Sequence, residues 1–343
     1  MASRAESPGR RPVKPPTIFD VAALAGVSKS TVSNVVRGTD GVSERTRERV
    51  LAAVQRLGYR PNALARQFVR GRTNILGVLV GDLDNPFYAE MAKRVERVAF
   101  ARGYTAMFCN IEEDGERGLA GVESLLEQQV AGIVFLAFFG RSPAIEESLS
   151  DRTPVVFVGL REEWGDSVAV SDTAGARLAT SHLVELGHRD IAYVTTPGVE
   201  RRADRARQAG YRAALRSAGL RGRRPVRWAP ERPGPALAET LRGPSPPTAA
   251  FCSNDLGAIA LLEQCDRLGV RVPGDLSVVG FDNVQLAGLA RISLTTVAQP
   301  LDDLARLGVD MLASRLEGRL RGGPRHVTVP TTLVVRGSTA PLR

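Results

Sequence analysis

From residue 74 onward, continuous apolar runs alternate with amphipathic stretches, and this rhythm leaves few folds open. The runs ILGVLV (75–80), YTAMFC (104–109), GIVFLA (132–137) and PVVFVG (154–159) are short and bounded by turn residues, so they read as strands buried on both faces. Between them, 86–102 and the stretch through Leu125 and Leu126 read as helices. A second set follows: helix 174–186, strand 191–195, helix 202–218, strand 248–252, helix 256–268 and strand 276–280. The expected fold class is therefore α/β, with two doubly wound parallel-sheet subdomains and a cleft between them. Ligands of such sheets bind beyond the carboxyl ends of the strands.

Polar and aromatic residues collect at those ends. DLDNPFY (82–88) follows the first strand, 201–207 follows the strand ending at Thr195, SND (253–255) follows Cys252, and FDN (281–283) follows Gly280. Any one of them would pass for a loop carboxylate or a helix cap. Four in equivalent places point to a cleft where aromatic faces stack on a small polar ring and Asp, Asn and Arg bond its edge.

The N-terminal part is different. Residues 17–37, TIFDVAALAGVSKSTVSNVVR, read as two short helices joined at Ala25, Gly26, Val27 and Ser28. Ile18, Val21, Ala22 and Ala25 share one face, Gly26 supplies the left-handed residue that ends the first helix, and Ser28 caps the second. Val32, Val35 and Val36 face back toward the first helix. Lys29, Ser30, Thr31, Ser33 and Asn34 are left facing outward, a row suited to base edges and phosphates in a major groove. This is a helix-turn-helix, and the expected partner is double-stranded DNA.

The charge distribution agrees. Of the 46 basic and 37 acidic residues, 14 and 5 fall in residues 1–73, which gives +9; the other 270 residues hold 32 of each sign and are neutral. Arginine dominates over the three lysines, Lys14, Lys29 and Lys93, but a preference for arginine does not explain the asymmetry between segments. A basic module beside a neutral one fits nucleic-acid binding by the first alone.

A third helix opens at Val42 and Ser43, carries Val50, Val54 and Leu57 at helical spacing, and ends at Gly58. The segment from Asn62 to Arg70 is too short to be helical alone in water and makes either a plain linker or a hinge helix, with Phe68 as an apolar wedge for a minor groove. Residues 1–16 read as a disordered basic arm. Cys109, Cys252 and Cys265 lack the spacing of a zinc site or disulfide framework and read as core residues. No metal or cofactor is expected. No apolar run reaches membrane-spanning length and the N-terminus has no apolar core of a leader, so a cytoplasmic, nucleoid-associated protein is expected, with no membrane partner. An enzyme, such as a sugar kinase with a DNA-binding domain, would need phosphate-cradling glycines. There is no GxxxxGK, and His182, His188 and His326 are scattered, His188 fitting a helix C-cap. A transport-type sugar-binding protein would share the core but has no use for the DNA module.

The motifs DVAALAGVSKSTVS, YRPNALAR, DNPFYA, GFDN and LTTVAQP follow one another in the order found in the lac-repressor (LacI/GalR) family, which the chain resembles from Thr17 to its C-terminal TTLVVRGST. The resemblance implies a transcriptional regulator, acting as a repressor, whose core is a periplasmic-binding-protein-like pair of subdomains crossed three times by the chain. It implies base reading by Lys29, Ser30 and Asn34, phosphate contacts by Ser28, Thr31, Ser33 and Thr46, and DNA contacts by Asn62 and Phe68 in the hinge. Phe68 stands where the family usually has leucine. For the effector it implies Phe87, Tyr88, Arg207, Asn254 and Asp282, with Arg201 where purine-responsive relatives use arginine and Trp228 as a further lining residue. The effector is expected to be a sugar or sugar derivative, with a purine or nucleoside as the alternative, and the assembly a homodimer on a near-palindromic operator. No heptad repeat for a tetramer follows the last strand. The expected organisation is an arm (1–16), a DNA-binding domain (17–60), a hinge (61–73) and a core (74–343). In the core, subdomain 1 is expected at about 74–161 and 292–325 and subdomain 2 at about 162–291 and 326–337.

Overall fold

The computed structural model describes residues 16–37, 41–59, 73–112, 114–136, 142–149, 153–195, 202–227 and 235–342. The chain divides into two compact units, Met1–Thr73 and Asn74–Arg343. The expected arm up to residue 15, the hinge at 61–72, and Asn62, Phe68, Arg201 and Trp228 lie outside the described residues.

In the first unit, α1 (Ile18–Ala25), α2 (Lys29–Arg37) and α3 (Glu44–Leu57) enclose a small core. The Thr17 hydroxyl accepts from the Asp20 amide while the Asp20 carboxylate accepts from the Thr17 amide, a reciprocal cap that starts α1. Gly26, at φ +62°, ends it. Two residues on, the Ser28 hydroxyl accepts from the Thr31 amide at 3.1 Å and opens α2. Val21, Ala22, Ala25, Val32, Val35, Val50 and Ala53 form the core, with Ile18, Val36, Val54 and Leu57 packed around it. On α3 the fully buried position next to Val50 is thus Ala53, whereas Val54 and Leu57 stay half-buried, because short α1 and α2 cover a narrow strip. The Arg49 guanidinium on α3 donates to the Ala25 and Gly26 carbonyls and ties the turn down.

In the second unit, β1 (Ile75–Val80), β2 (Thr105–Asn110), β3 (Gly132–Leu136), β4 (Val155–Val158), β5 (Asp166–Val170) and β11 (His326–Val329) make a parallel sheet in the order β2-β1-β3-β4-β5-β11. On one face, α4 (Pro86–Ala101) and α11 (Leu301–Leu316) pack on Val78, Val80 and Val134; on the other, α5 (Gly115–Glu127) and α6 (Pro143–Leu149) pack on Leu79, Ile133 and Phe135. The second sheet repeats the scheme with β6 (Ile191–Thr195), β7 (Val226–Arg227), β8 (Ala249–Cys252), β9 (Ser277–Asp282), β10 (Thr295–Ala298) and β12 (Thr332–Val334), ordered β7-β6-β8-β9-β10-β12. Only β12 runs antiparallel. Here α7 (Asp172–Glu185) and α8 (Arg202–Ser217) cover one face, α9 (Pro235–Arg242) and α10 (Asp255–Leu268) the other.

The subdomain boundaries expected from the sequence need correcting at three strands. β5 lies in the first sheet, paired with β4, and β11 pairs outside it, although both fall in the segments assigned to subdomain 2. β10, assigned to subdomain 1, pairs with β9 in the second sheet. For β5 and β10 the physical reason is buried polar residues that interrupt the apolar pattern; β11 is a short edge strand with only Val329 fully buried. β5 opens on Asp166 and Ser167, whose side chains are met by Arg315 (2.7 and 2.8 Å) and His326 (2.6 Å), and β10 opens on two buried threonines. The chain crosses between sheets at Ser171, at Gln299 and Pro300, and at Pro330 and Thr331, three times as the resemblance implies.

Cys252 and Cys265 are buried in the core; Cys109 is half-buried. His188 does not cap a helix. Leu186 holds that place, and the buried His188 ring bonds the Thr248 and Ser277 hydroxyls at 3.0 Å and the Ala340 carbonyl at 3.1 Å, pinning the C-terminal segment to the second sheet.

Candidate functional sites

Burying Val32 and Val35 leaves α2 with Lys29, Ser30 and Asn34 exposed and Thr31 and Ser33 half-buried. The Ser28 hydroxyl contacts those of Ser30 (2.7 Å) and Thr31 (2.8 Å), so a hydroxyl cluster surrounds the N-terminus of α2. Thr46, in the first turn of α3, bonds Ser43 at 2.9 Å and forms a second such cluster. Helix N-termini carry partial positive charge and unpaired amides, which suits phosphate. Of the seven predicted residues, Ser28 to Thr31 thus sit at the start of α2 and Thr46 at the start of α3, while Ser33 and Asn34 lie in the second turn of α2.

A cavity of about 320 Å³ lies between the two sheets. Both sheets reverse their strand order at one place, between β1 and β3 and between β6 and β8, and Leu136, Thr195, Ser253 and Asn254 at or just beyond those strand ends line the cavity. Asn85 caps α4, accepting from the Phe87 amide at 3.1 Å, and so directs Phe87 and Tyr88 inward, edge to face at 5.3 Å. Gly81 makes room, since a Cβ there would lie 2.9 Å from the Tyr88 ring.

The opposite wall centres on Arg207. Its guanidinium donates to Asp172 at 2.8 Å and to the Ser253 carbonyl at 2.5 Å, lies 3.7 Å from Asp282, and sits 3.8 Å over the Phe281 ring. Burial opposes its charge, but Asp172 and Asp282 outweigh that and hold it charged more firmly than usual. Asp282 has φ +119°, a strained value for a non-glycine residue, and is held there by the Gln299 amide at 2.8 Å. Beneath it, buried Asp255 accepts from the Thr296 hydroxyl (2.5 Å) and the Val284 amide (2.9 Å). Burial, then the charge of Asp282, pushes its pKa up to about 8.

Phe87, Tyr88, Arg207, Asn254 and Asp282 thus line one cavity. Sequence reasoning missed Arg161, Asp172, Thr173 and Gln299, which line it too. Asp172 was hidden because β5, which aims it, lacks an apolar signature. Gln299 was visible within LTTVAQP but had no assigned place; its Oε1 is buried with no protein partner among the described residues. Among the described residues the arginines of the wall are each paired: Arg161 with Glu163, Arg202 with Glu162 and the Arg161 carbonyl, Arg207 as above. Among the described residues no group of His, Cys, Asp or Glu is arranged to hold a metal ion.

Residues 17–62 match the model of bacterial regulatory proteins of the lacI family, and 180–339 that of the periplasmic binding protein-like domain. The ribose operon repressor of Escherichia coli (strain K12) is 37% identical over 314 residues, covering 88% of this chain and 93% of that protein. The chain belongs to the LacI family. The HTH-type transcriptional repressor PurR of Erwinia tasmaniensis is 35% identical to this LacI-family regulator over 94% of its length and 97% of the relative's. Among solved structures, the lac repressor dimer bound to operator and the anti-inducer ONPF superposes with a TM-score of 0.82 at 29% identity, covering 95% of this chain and all of that one. The transcriptional regulator CelR–cellobiose complex gives 0.69 at 32% identity, over 94% and 99% of the two chains. This LacI-family chain is a DNA-binding transcriptional regulator, and its relatives are regulators rather than enzymes. No helix among its described residues is long and apolar enough to cross a membrane.

Proposed function

We propose that the protein is a repressor that binds a near-palindromic operator as a homodimer and is controlled by a neutral sugar or sugar derivative held between its two sheets. In this reading Lys29, Ser30 and Asn34 meet base edges, and Ser28, Thr31, Ser33 and Thr46 meet phosphates. Asn62 and Phe68, in the hinge, enter the minor groove between half-sites. The observation that carries the effector class is the cleft: Phe87 and Tyr88 offer aromatic faces, while Asp172, Arg207, Asn254, Asp282 and the unpartnered Gln299 oxygen offer hydroxyl-bonding groups. Because Arg161, Arg202 and Arg207, the arginines of the wall among the described residues, are already paired, the described lining suits a polyhydroxy ligand without charge. A purine or nucleoside effector, with Arg201 among its contacts, is the alternative reading. Dimerisation follows from the small interface that one three-helix module offers to DNA, and the lac repressor on its operator is a dimer. Bound to operators, the regulator would reside with the nucleoid in the cytoplasm.

A thermal-shift screen of the full chain across sugars, polyols, nucleosides and purines tests the effector. A cognate sugar at 100 times its Kd should stabilise the protein by about 2.7 kcal/mol. Stabilisation by purines and by no sugar would overturn the preferred reading. Sedimentation at micromolar concentration should give a dimer; a monomer with full operator affinity would overturn the assembly.

A further inference from the structure

We infer that Phe19 is a specificity-determining residue of the DNA-reading face, acting as an aromatic platform that aims the Lys29 ammonium. The inference rests on the DNA-reading role proposed above. Phe19 is 64% exposed on α1, whose buried face is Val21, Ala22 and Ala25. The core of the unit is complete without its ring. Yet the ring is not bare, because the Nζ of Lys29, first residue of α2, lies over it at 5.1 Å from the centroid. That is within cation–π range.

The identity of the cation makes the contact consequential. The 46 basic residues of the chain include only three lysines, so lysine at the front of α2 departs from the prevailing choice. An arginine there would bring a rigid planar fork, able to address a guanine edge by its own geometry, whereas an ammonium is a compact charge on a flexible stem that points nowhere in particular. A ring beneath it restricts the stem before DNA arrives and lowers the ordering cost of binding. Docking into a groove removes water from the pair and strengthens it. Base choice at the position facing Lys29 is then a joint property of residues on two helices, α1 and α2.

The test is site selection from a randomised DNA pool by the full-length protein, followed by titrations at two salt concentrations. Phe19→Leu keeps an apolar side chain without a ring face. It should lower discrimination at the base pair facing Lys29 by about two- to fivefold per half-site, and by about the square of that on a palindrome, while other positions and the salt slope hold. Phe19→Tyr and Phe19→Trp should restore it. In a Lys29→Ala background Phe19→Leu should do nothing further. A melting curve for each variant guards against loss of the fold. If Phe19→Leu selects the parent's site with the parent's stringency, or if its effect persists without Lys29, the platform role is overturned while DNA reading stands. A parent protein that selects no sequence would overturn the DNA reading and this inference with it.

Discussion

At the scale of single residues, the cleft concentrates buried charge that is tolerable only because it is paired. Arg207 serves Asp172, Asp282 and a backbone carbonyl at once. Arg207→Met should remove effector binding and also destabilise the core by about 3–5 kcal/mol, since the carboxylates would be left without their cation. Urea unfolding with and without ligand measures both. Asp255 gives a pH dependence of known sign. Its pKa, raised to about 8 by burial and by Asp282, lies far above the 3.8 of an ordinary aspartate, so between about pH 4 and 8 the folded protein holds a proton that the unfolded chain has lost. Stability from this group therefore falls as pH rises through that window, by up to about 1.4 kcal/mol per unit, and levels off above it. Asp255→Asn should remove the slope: from pH 5 to 7.5 the parent should lose stability relative to the variant. Parallel profiles would mean that Asp255 is ionised when folded.

At the scale of elements, the caps decide how firmly the reading helix is held. Ser28→Ala removes the hydroxyl that accepts from the Thr31 amide and should cost about 1 kcal/mol, seen as a lower melting temperature of the DNA-binding unit. The C-terminal segment behaves oppositely to Asp255 with pH. Burial lowers the pKa of His188 below 6.5, so its neutral ring fastens the chain near Ala340 at neutral pH and this contribution is lost as pH falls from 6.5 through the lowered value. Hydrogen exchange at Leu342, whose amide bonds the Leu186 carbonyl, should accelerate more on acidification than exchange in β8. Strands with unbroken apolar runs, such as β1 and β6, were legible within a residue. β5 and β10 were not, because periodicity assumes that buried means apolar, and their polar residues are buried with partners far along the chain; β11 was not, because as a four-residue edge strand it buries only Val329 fully and carries no apolar run. The same blindness hid Asp172, aimed by β5, whereas Phe87, Tyr88, Arg207, Asn254 and Asp282 stood where apolar strands visibly ended. His188 was misread because its partners, Thr248, Ser277 and Ala340, cannot be inferred from its own neighbours.

At the scale of the whole molecule, charge separates the two tasks. With +9 in residues 1–73 and zero in the rest, operator affinity should fall steeply with salt, by about 10³–10⁵ between 50 and 200 mM if six to ten phosphates are contacted, while effector affinity stays nearly level. Titrations of both ligands at both concentrations would check this; equal sensitivities would contradict it.

The three crossings also set a timetable. The first sheet gains its last strand only when residues 326–329 have been made, long after β5 has left the ribosome; at about 5–20 residues per second the delay is roughly 8–30 s. For that interval β5 is a sheet edge open to other chains. Asp166 begins that strand, and its partner Arg315 is not yet present. An inward-facing carboxylate on a bare edge is the kind of charge that disfavours pairing with another chain, so Asp166, which Arg315 holds in the finished sheet, would also act against misassembly before β11 arrives.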